Sequence, residues 1–259
     1  MMDPGEAALV TSAAFLAGGV NAIAGGGSLI SFPALLAVGV KPVAANITNT
    51  VALCSGYLGG AISQRRALTG QRDRLRRLLV VGGLGGLTGA VLLVSTSDSV
   101  FKRLIPLLIL LASGLLGFQD RIRQWFGIGE QVVVTGGATS ADPLWLLLPV
   151  FAVAVYGGYF GAGLGIMMLG VLGVVLHESL TRLNAIKQML SLVINVVAAA
   201  FFMFSGKVHW DFAAVMAIGS LAGGAVGGRV ANRLDPKVLR LVVIVIALVV
   251  AVVYFVRSL

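Results

Sequence analysis

Long apolar runs separated by short polar segments make up most of this chain. The first run extends from about Ala7 to Val40 without a charged residue. Later apolar stretches lie at Val43–Ser63, Leu78–Val94, Leu104–Phe118, 144–176, Leu183–Phe204, Phe212–Val230 and Val238–Val256. A membrane-spanning helix needs about 20 mostly apolar residues. The pattern therefore predicts an all-α polytopic membrane protein.

Two of the apolar runs contain glycine clusters that an ordinary transmembrane helix does not carry. The first has Gly25, Gly26 and Gly27, followed by Ser28 and then Pro33, and the run 144–176 has its cluster around Gly161 and Gly163. Glycine weakens a helix, and proline removes a backbone donor. A freed backbone at membrane depth is tolerated where it is buried in protein or lines a cavity. Each run is therefore predicted to be a broken helical hairpin, and such a pair indicates a transporter's binding site.

The two halves of the chain repeat. A shift of about 137 residues superposes glycines and charged residues in the same order, pairing Gly82 with Gly219, Gly86 with Gly223, Asp98 with Asp235 and Arg103 with Arg240. We interpret this as a duplication, with a first repeat at 1–128, a cytoplasmic linker at 129–143 and a second repeat at 144–259. Each repeat is predicted to be a glycine-broken hairpin followed by three transmembrane helices. The glycines spaced by four residues in the matching spans predict close helix packing.

The distribution of basic residues predicts how the halves are oriented. If both broken runs are hairpins, the segments 65–77, 119–143, 177–187 and 229–240 all face the cytoplasm, and they hold fourteen of the nineteen basic residues. If both runs crossed the membrane once, the basic segment 229–240 would lie outside. The positive-inside rule favours the hairpins. This arrangement makes the repeats inverted, a known transporter architecture.

Composition excludes several other classes of protein. The chain is 58% hydrophobic and 11% charged, with a mean hydropathy of +0.99, whereas soluble proteins carry about 25% charged residues. The net charge of +9 resides in loops between apolar spans, so we expect no nucleic-acid partner. Cys54 is the single cysteine, and no phosphate-binding GxxxxGK[ST] motif occurs. We therefore predict no cofactor, no metal and no ATP hydrolysis by the chain itself.

The glycine breaks and two polar stripes are the candidate binding residues. A helix that starts after Gly25, Gly26 and Gly27 would present backbone amides and a positive dipole end to an anion, with Ser28 adding a hydroxyl. The stripes lie on the spans that follow the breaks, and comprise Asn46, Thr48, Asn49 and Thr50 in the first half and Asn184, Gln188, Ser191 and Asn195 in the second, with Lys187 beside them. Polar side chains are costly against lipid, so both stripes should face the protein interior.

Each candidate has a structural alternative. The glycines could simply allow close helix contact, and the amides could be hydrogen bonds between helices. Lys187 could reach the cytoplasmic surface beside Arg182 instead of binding an anion. Glu178 is either part of a polar turn or a proton-coupling group.

Four segments follow one another along the chain, namely the glycine stretch with Pro33, the polar run 46–50, Ser205–Asp211 and Ile218–Gly223. In their order and spacing they resemble the sulfite exporter TauE/SafE family, and the resemblance extends from about Ala13 to Arg257. It implies export of small anions such as sulfite and sulfonates, driven by an ion gradient. One feature departs from the family pattern, because no proline follows Gly163, which predicts a less sharply broken second half.

The sequence thus predicts a secondary transporter that moves a small, sulfur-containing anion across the cytoplasmic membrane, with H⁺ or Na⁺ as the coupling ion. The alternatives are a membrane-embedded enzyme and a membrane subunit of a larger complex. His177 and His209 lie at predicted loop edges, which argues against an enzyme. The sequence is compatible with a homo-oligomer.

Overall fold

The computed structural model describes residues 2–23, 26–63, 65–125, 144–176, 178–230 and 236–256, and within these ranges it contains helices and turns but no strand. The helices are α1 (Pro4–Ile23), α2 (Ser28–Ala37), α3 (Pro42–Ser63), α4 (Arg72–Ser95), α5 (Asp98–Trp125), α6 (Leu147–Tyr159), α7 (Leu164–Val175), α8 (Leu180–Met203), α9 (Trp210–Val230) and α10 (Pro236–Val256). Short 3-10 turns at Arg65–Leu68 and Leu144–Leu146 lead towards α4 and α6.

The predicted all-α polytopic membrane protein is confirmed. Within the described ranges, four helical segments are long and apolar enough to cross a membrane, namely Arg72–Ser95, Asp98–Phe118, Thr181–Met203 and Trp210–Gly227. Their outer faces carry large apolar side chains, such as Leu107 at 64% exposed and Ile218 at 68% exposed. Extended apolar surfaces of this kind are unfavourable in water and match the hydrocarbon core of a bilayer.

Two helices extend beyond the apolar stretches that predicted them. α4 begins at Arg72, inside the arginine-rich segment, and α5 continues to Trp125, through part of the polar segment predicted to separate the halves. A helix can keep its backbone hydrogen bonds as it leaves the bilayer, so hydropathy marks only the part in lipid. The predicted linker 129–143 lies outside the described residues.

The two halves have the same order of elements. Each begins with two helices separated by a glycine break, α1–α2 and α6–α7, and continues with three long helices. The packing corresponds as well, because α1 lies along α9 as α6 lies along α4, while α3 packs on α8 and α5 on α10. The first helix of each half is therefore packed mainly against a helix of the other half.

Glycines bring these helix pairs into backbone contact. A methyl group at Gly223 would overlap the main chain of Phe15 in α1, and one at Gly158 would overlap the main chain of Gly86 in α4. The predicted packing role of the glycines in α4 and α9 is confirmed by these contacts.

One end of the helix bundle gathers the α2–α3 loop, the α4–α5 corner and the α8–α9 turn. The Asp98 carboxylate accepts a hydrogen bond from the Val43 amide at 3.0 Å, and Lys207 Nζ donates to the Val94 carbonyl at 2.9 Å. We call this the lysine end, after Lys41 and Lys207.

The other end of the bundle gathers the start of α4 and the α7–α8 loop. Glu178 accepts hydrogen bonds from Arg74 at 2.7 Å and from Arg182 at 3.1 Å. Because α4 runs from Arg72 to Ser95, this arginine end is opposite the lysine end.

Candidate functional site

The first glycine break is closed by its own hydrogen bonds. Gly26 adopts a left-handed conformation with φ 87°, and the Leu29 amide donates to its carbonyl at 3.0 Å. The Gly27 amide donates to Asn21 Oδ1 in α1 at 2.8 Å. The Gly27 donor that the sequence assigned to an anion is thus engaged by Asn21 in this state. Gly25 lies outside the described residues.

Gly27 also packs tightly against α1. Its backbone has ordinary helical angles, φ −55° and ψ −29°, so other residues could adopt its conformation. A methyl group there would nevertheless overlap the carbonyl oxygen of Ala17. Ser28, the next residue, is half-buried and is the first residue of α2.

The second break contains two left-handed glycines. Gly161 and Gly163 both have φ 78°, and α7 begins directly after them. The Tyr156 hydroxyl donates to the Ala162 carbonyl at 2.6 Å and holds the loop. These glycines interrupt the helix without a proline, and the expectation of a less sharply broken second half stays a prediction.

The carbonyl oxygens of Gly27 and Gly163 have matching roles. Each accepts from the amides three and four residues ahead, which are those of Ile30 and Ser31 in the first half and of Ile166 and Met167 in the second. The two short helices α2 and α7 therefore start with the same hydrogen-bond pattern, although Gly27 is helical and Gly163 is left-handed.

Both breaks approach one stretch of α5. A methyl group at Gly26 would lie 3.3 Å from Leu116, and one at Gly163 would lie 3.5 Å from Ala112, one turn earlier. Ser113 lies on the same stretch, is 3% exposed, and its hydroxyl finds no hydrogen-bond partner among the described residues. The stretch of α5 that both breaks approach therefore carries a buried hydroxyl without a described partner.

Aromatic rings pack the two hairpins together. Phe32 in α2 meets Phe160 in the second break edge to face, with ring centroids 5.6 Å apart. Phe101 at the start of α5 lies 6.4 Å from each of them. This cluster keeps the region between the hairpins compact and apolar on one side.

The first polar stripe, on α3, connects the two breaks. Asn46 Nδ2 donates to the Tyr159 carbonyl at the end of α6 at 2.8 Å, while its Oδ1 is buried without a described partner. Asn49 Oδ1 accepts the Ser31 hydroxyl of α2 at 2.6 Å. The Thr50 hydroxyl donates to the backbone of its own helix.

Thr48 is separated from this group. It is fully buried, but its hydroxyl accepts the backbone amide of His209 at 3.1 Å, at the lysine end. Of the four predicted residues on α3, the structure brings Asn46 and Asn49 to the breaks and places Thr48 on the α8–α9 turn.

The second polar stripe, on α8, is also turned inward. Ser191 is 1% exposed with an unpaired hydroxyl among the described residues, and Asn195 Nδ2 donates to its carbonyl at 2.8 Å. Lys187 Nζ donates to Asn184 Oδ1 at 3.2 Å. Gln188 is half-buried.

Lys187 reaches the second hairpin as well. A methyl group at Gly165, in the first turn of α7, would lie 3.6 Å from Lys187 Cδ. Its expected neighbour Arg182 turns away and pairs with Glu178. Lys187 thus lies beside the start of α7, where an anion would gain from its charge.

Comparison with known proteins identifies the family. The model of the family "Sulfite exporter TauE/SafE" matches residues 10–254. The chain belongs to the sulfite exporter TauE/SafE family. It is 30% identical over 224 residues to a "Probable membrane transporter protein" of Haemophilus influenzae, covering 83% of this chain and 81% of the relative. It is 26% identical over 230 residues to "Probable membrane transporter protein YfcA" of Escherichia coli K12, covering 86% and 80%.

A relative from Sinorhizobium, "Probable membrane transporter protein ORF9", is 28% identical over 217 residues and covers 83% of this chain and 78% of its own length. No solved structure matches the chain significantly. This TauE/SafE protein is therefore a multi-pass membrane transporter of the inner membrane, as the names of its family and relatives indicate.

Sequence reasoning missed three polar groups of this TauE/SafE transporter. Asn21 and Tyr156 hold the two breaks, and Ser113 lies on the stretch of α5 that the breaks approach. The signal for Asn21 is a lone amide in an otherwise apolar helix. Ser113 has only the small residues Ala112 and Gly114 as neighbours, a pattern that equally fits ordinary helix packing.

Proposed function

We propose that this TauE/SafE transporter is a secondary transporter that moves a small anion of the sulfite or organosulfonate class out of the cell, coupled to H⁺ or Na⁺. The proposed site is the space bounded by the two breaks, the middle of α5 and the inward faces of α3 and α8. The family description and the neutral donors around the breaks support this proposal.

The observation that carries the proposal is a group of buried polar atoms without described partners. Three of them lie on α3, α5 and α8, namely Asn46 Oδ1, Ser113 Oγ and Ser191 Oγ, and the other two are the side-chain nitrogen and oxygen of Gln71, just before α4. A buried polar group left unpaired costs about 1–3 kcal/mol, so their presence supports a ligand in another step of transport. The serine hydroxyls can rotate to donate to an anion, and the amide oxygen suits a coupling cation or a protonated anion.

The proposed binding set keeps residues expected from sequence and adds Ser113. We assign direct contact to Ser28, Asn46, Ser113, Lys187 and Ser191. The remaining described candidates shape the space around them, namely Gly26, Gly27, Asn49, Thr50, Gly161, Gly163, Asn184, Gln188 and Asn195, whereas Gly25 stays a candidate from sequence alone. Thr48 supports the lysine end.

The proposed architecture is a pair of inverted repeats, 1–128 and 144–259, joined by a cytoplasmic linker at 129–143. The loop contacts support it. The α2–α3 loop, which follows the hairpin α1–α2, lies at the lysine end. The α7–α8 loop, which follows the hairpin α6–α7, lies at the arginine end. With the arginine end in the cytoplasm, the positive-inside rule is obeyed.

Counterflow in proteoliposomes tests the transport proposal. Vesicles preloaded with unlabelled sulfite, sulfoacetate or thiosulfate should accumulate the labelled form of whichever anion is the substrate. Ser113→Ala and Ser191→Ala should each weaken the apparent affinity about 10-fold or more, because a hydrogen bond to a charged group contributes about 1.5–3 kcal/mol. Thr88→Val is the matched control, since Thr88 is exposed and bonds only to its own helix at 2.8 Å.

Two results would contradict the proposal. If none of the three anions exchanges through wild-type protein, the substrate class is wrong. If exchange occurs and both serine variants behave like Thr88→Val, the site lies elsewhere in the transporter.

A further inference from the structure

A cavity opens at the lysine end, and its lining includes none of the residues assigned to direct contact with the transported anion. Its volume is about 300 Å³, and its lining includes Lys41, Val43, Asp98, Lys207 and His209. The lining residues come from the α2–α3 loop, the α4–α5 corner and the α8–α9 turn. Two of the five basic residues that the sequence places outside the cytoplasm therefore meet in one cavity.

The backbone holds both lysine-bearing loops in fixed shapes. Gly39 has φ 82° just after α2, and Gly206 has φ 67° in the α8–α9 turn. Both conformations favour glycine. The Lys207 amide donates to the Ser205 hydroxyl at 3.2 Å. The lysines thus stand on loops whose turns are already formed.

The charges in this cavity are not balanced. Asp98 is the one acidic residue among the described residues of its lining, and one of its carboxylate oxygens accepts a hydrogen bond from the Val43 amide. The corresponding α7–α8 loop at the arginine end carries Glu178, which two arginines occupy. The lysine side chains at the lysine end can therefore bind an anion. At the arginine end, the arginines beside the corresponding loop are already paired with Glu178.

We propose that the cavity at the lysine end is a second anion site, which binds a small oxyanion through Lys41 and Lys207. This inference rests on the proposed function for its role, in which the site receives the anion as it leaves the neutral donors of the protein interior. A positively charged cleft raises the local concentration of anions and favours their passage. The ligand chemistry is an oxyanion, either free sulfite or sulfonate, or the phosphate of a lipid headgroup.

Binding stoichiometry separates this site from the one in the protein interior. Wild-type protein in nanodiscs of zwitterionic lipid should bind two ³⁵S-sulfite ions in a scintillation proximity assay. Lys41→Gln with Lys207→Gln should bind one, or lose affinity at the second site at least 10-fold. Lys41→Arg with Lys207→Arg should keep both. Arg103→Gln is the matched control, because Arg103 is exposed near the same end but does not line the cavity.

The lipid source is tested in nanodiscs that contain phosphatidylglycerol. If the lysine pair holds a headgroup, native mass spectrometry should show phosphatidylglycerol retained by wild-type protein and released from the glutamine double variant. That result supports the oxyanion site with lipid as its occupant. Equal retention of both sulfite and phosphatidylglycerol by wild-type and glutamine variants overturns the inference.

Failure of this inference and failure of the proposed function are distinguishable. Counterflow by wild-type protein tests transport without reference to the cavity. If counterflow is active and the glutamine double variant binds sulfite and lipid as wild type does, the second site is absent and the proposed function stands. If binding depends on the lysines but no sulfur anion shows counterflow, the second site stands and the proposed substrate class is wrong.

Discussion

Asn46 in the first half donates its side-chain amide to the backbone carbonyl of Tyr159 in the second half at 2.8 Å. Tyr159 is the last residue of α6, so this carbonyl belongs to a helix end whose acceptors have no partner within the helix. The Asn46 amide thus replaces the backbone donor that the carbonyl would have if α6 continued. It also leaves the Asn46 oxygen buried beside the break.

Replacing Asn46 should affect transport more than stability. Asn46→Leu removes the unpaired oxygen and leaves the Tyr159 carbonyl without its donor, which should cost about 1–3 kcal/mol of unfolding free energy. Counterflow per folded molecule should fall at least 10-fold, while Thr88→Val stays at the wild-type rate. Counterflow and thermal unfolding are measured on the same preparations. If activity falls only in proportion to folded protein, Asn46 is a packing residue.

Gly27 should tolerate no side chain. Gly27→Ala places a methyl group against the Ala17 carbonyl oxygen, and overpacking of this kind costs about 1–3 kcal/mol. Gly114→Ala is the matched control in another apolar helix, because no atom lies within 4 Å of the added methyl group. The control should gain up to about 1 kcal/mol from helix propensity. The melting temperatures of the two purified variants should therefore shift in opposite directions. A Gly27→Ala protein as stable as wild type would show that α1 and α2 can separate enough to admit a methyl group.

Glu178 should stabilise the arginine end. Its side chain is 12% exposed and that of Arg74 is 22% exposed, so this ion pair should contribute more than a fully exposed pair and less than a fully buried one. Glu178→Gln should therefore lower the unfolding free energy by about 1–3 kcal/mol. The loss should be smaller at high salt, where wild type is itself weakened.

The control for Glu178 is Arg76→Gln, which removes an exposed charge from the first turns of α4. Its melting temperature should stay close to that of wild type. Identical melting temperatures for Glu178→Gln and Arg76→Gln would mean that the two arginine contacts contribute nothing measurable.

Reporter fusions should map the two ends of the bundle to opposite sides of the membrane. Fusions after Leu68 and after Ala138 should report a cytoplasmic location, and a fusion at the C-terminus should report an external one. This follows from placing the arginine end inside by the positive-inside rule. A cytoplasmic C-terminus is incompatible with the inverted arrangement.

Much of this fold follows from local patterns in the sequence. The apolar length of Val43–Ser63 is a local signal, and α3 is found at Pro42–Ser63. Its proline occupies the first helical position, where a missing amide costs little. The two breaks were also predicted, since glycine clusters act within a few residues. The extent of α4 and α5 was underestimated because charged residues continue a helix beyond the bilayer.

The candidate site was less predictable because it depends on contacts between distant residues. Nothing local to Gly27 indicates that Asn21 would take its amide, and nothing local to Thr48 indicates that His209 would face it. Lys41 and Lys207 are far apart in sequence and meet only through the fold. A polar stripe identifies an inward face of a helix, but the partners on that face belong to the tertiary structure.

The pairing of α1 with α9 has a consequence for biogenesis. Synthesis at about 5–20 residues per second means that α1 waits on the order of 10 s or more before its glycine-lined partner exists. Until then its small-residue face meets lipid or a chaperone. We therefore expect neither half to fold stably alone, and a chain cut in the linker to assemble only when both fragments are present together.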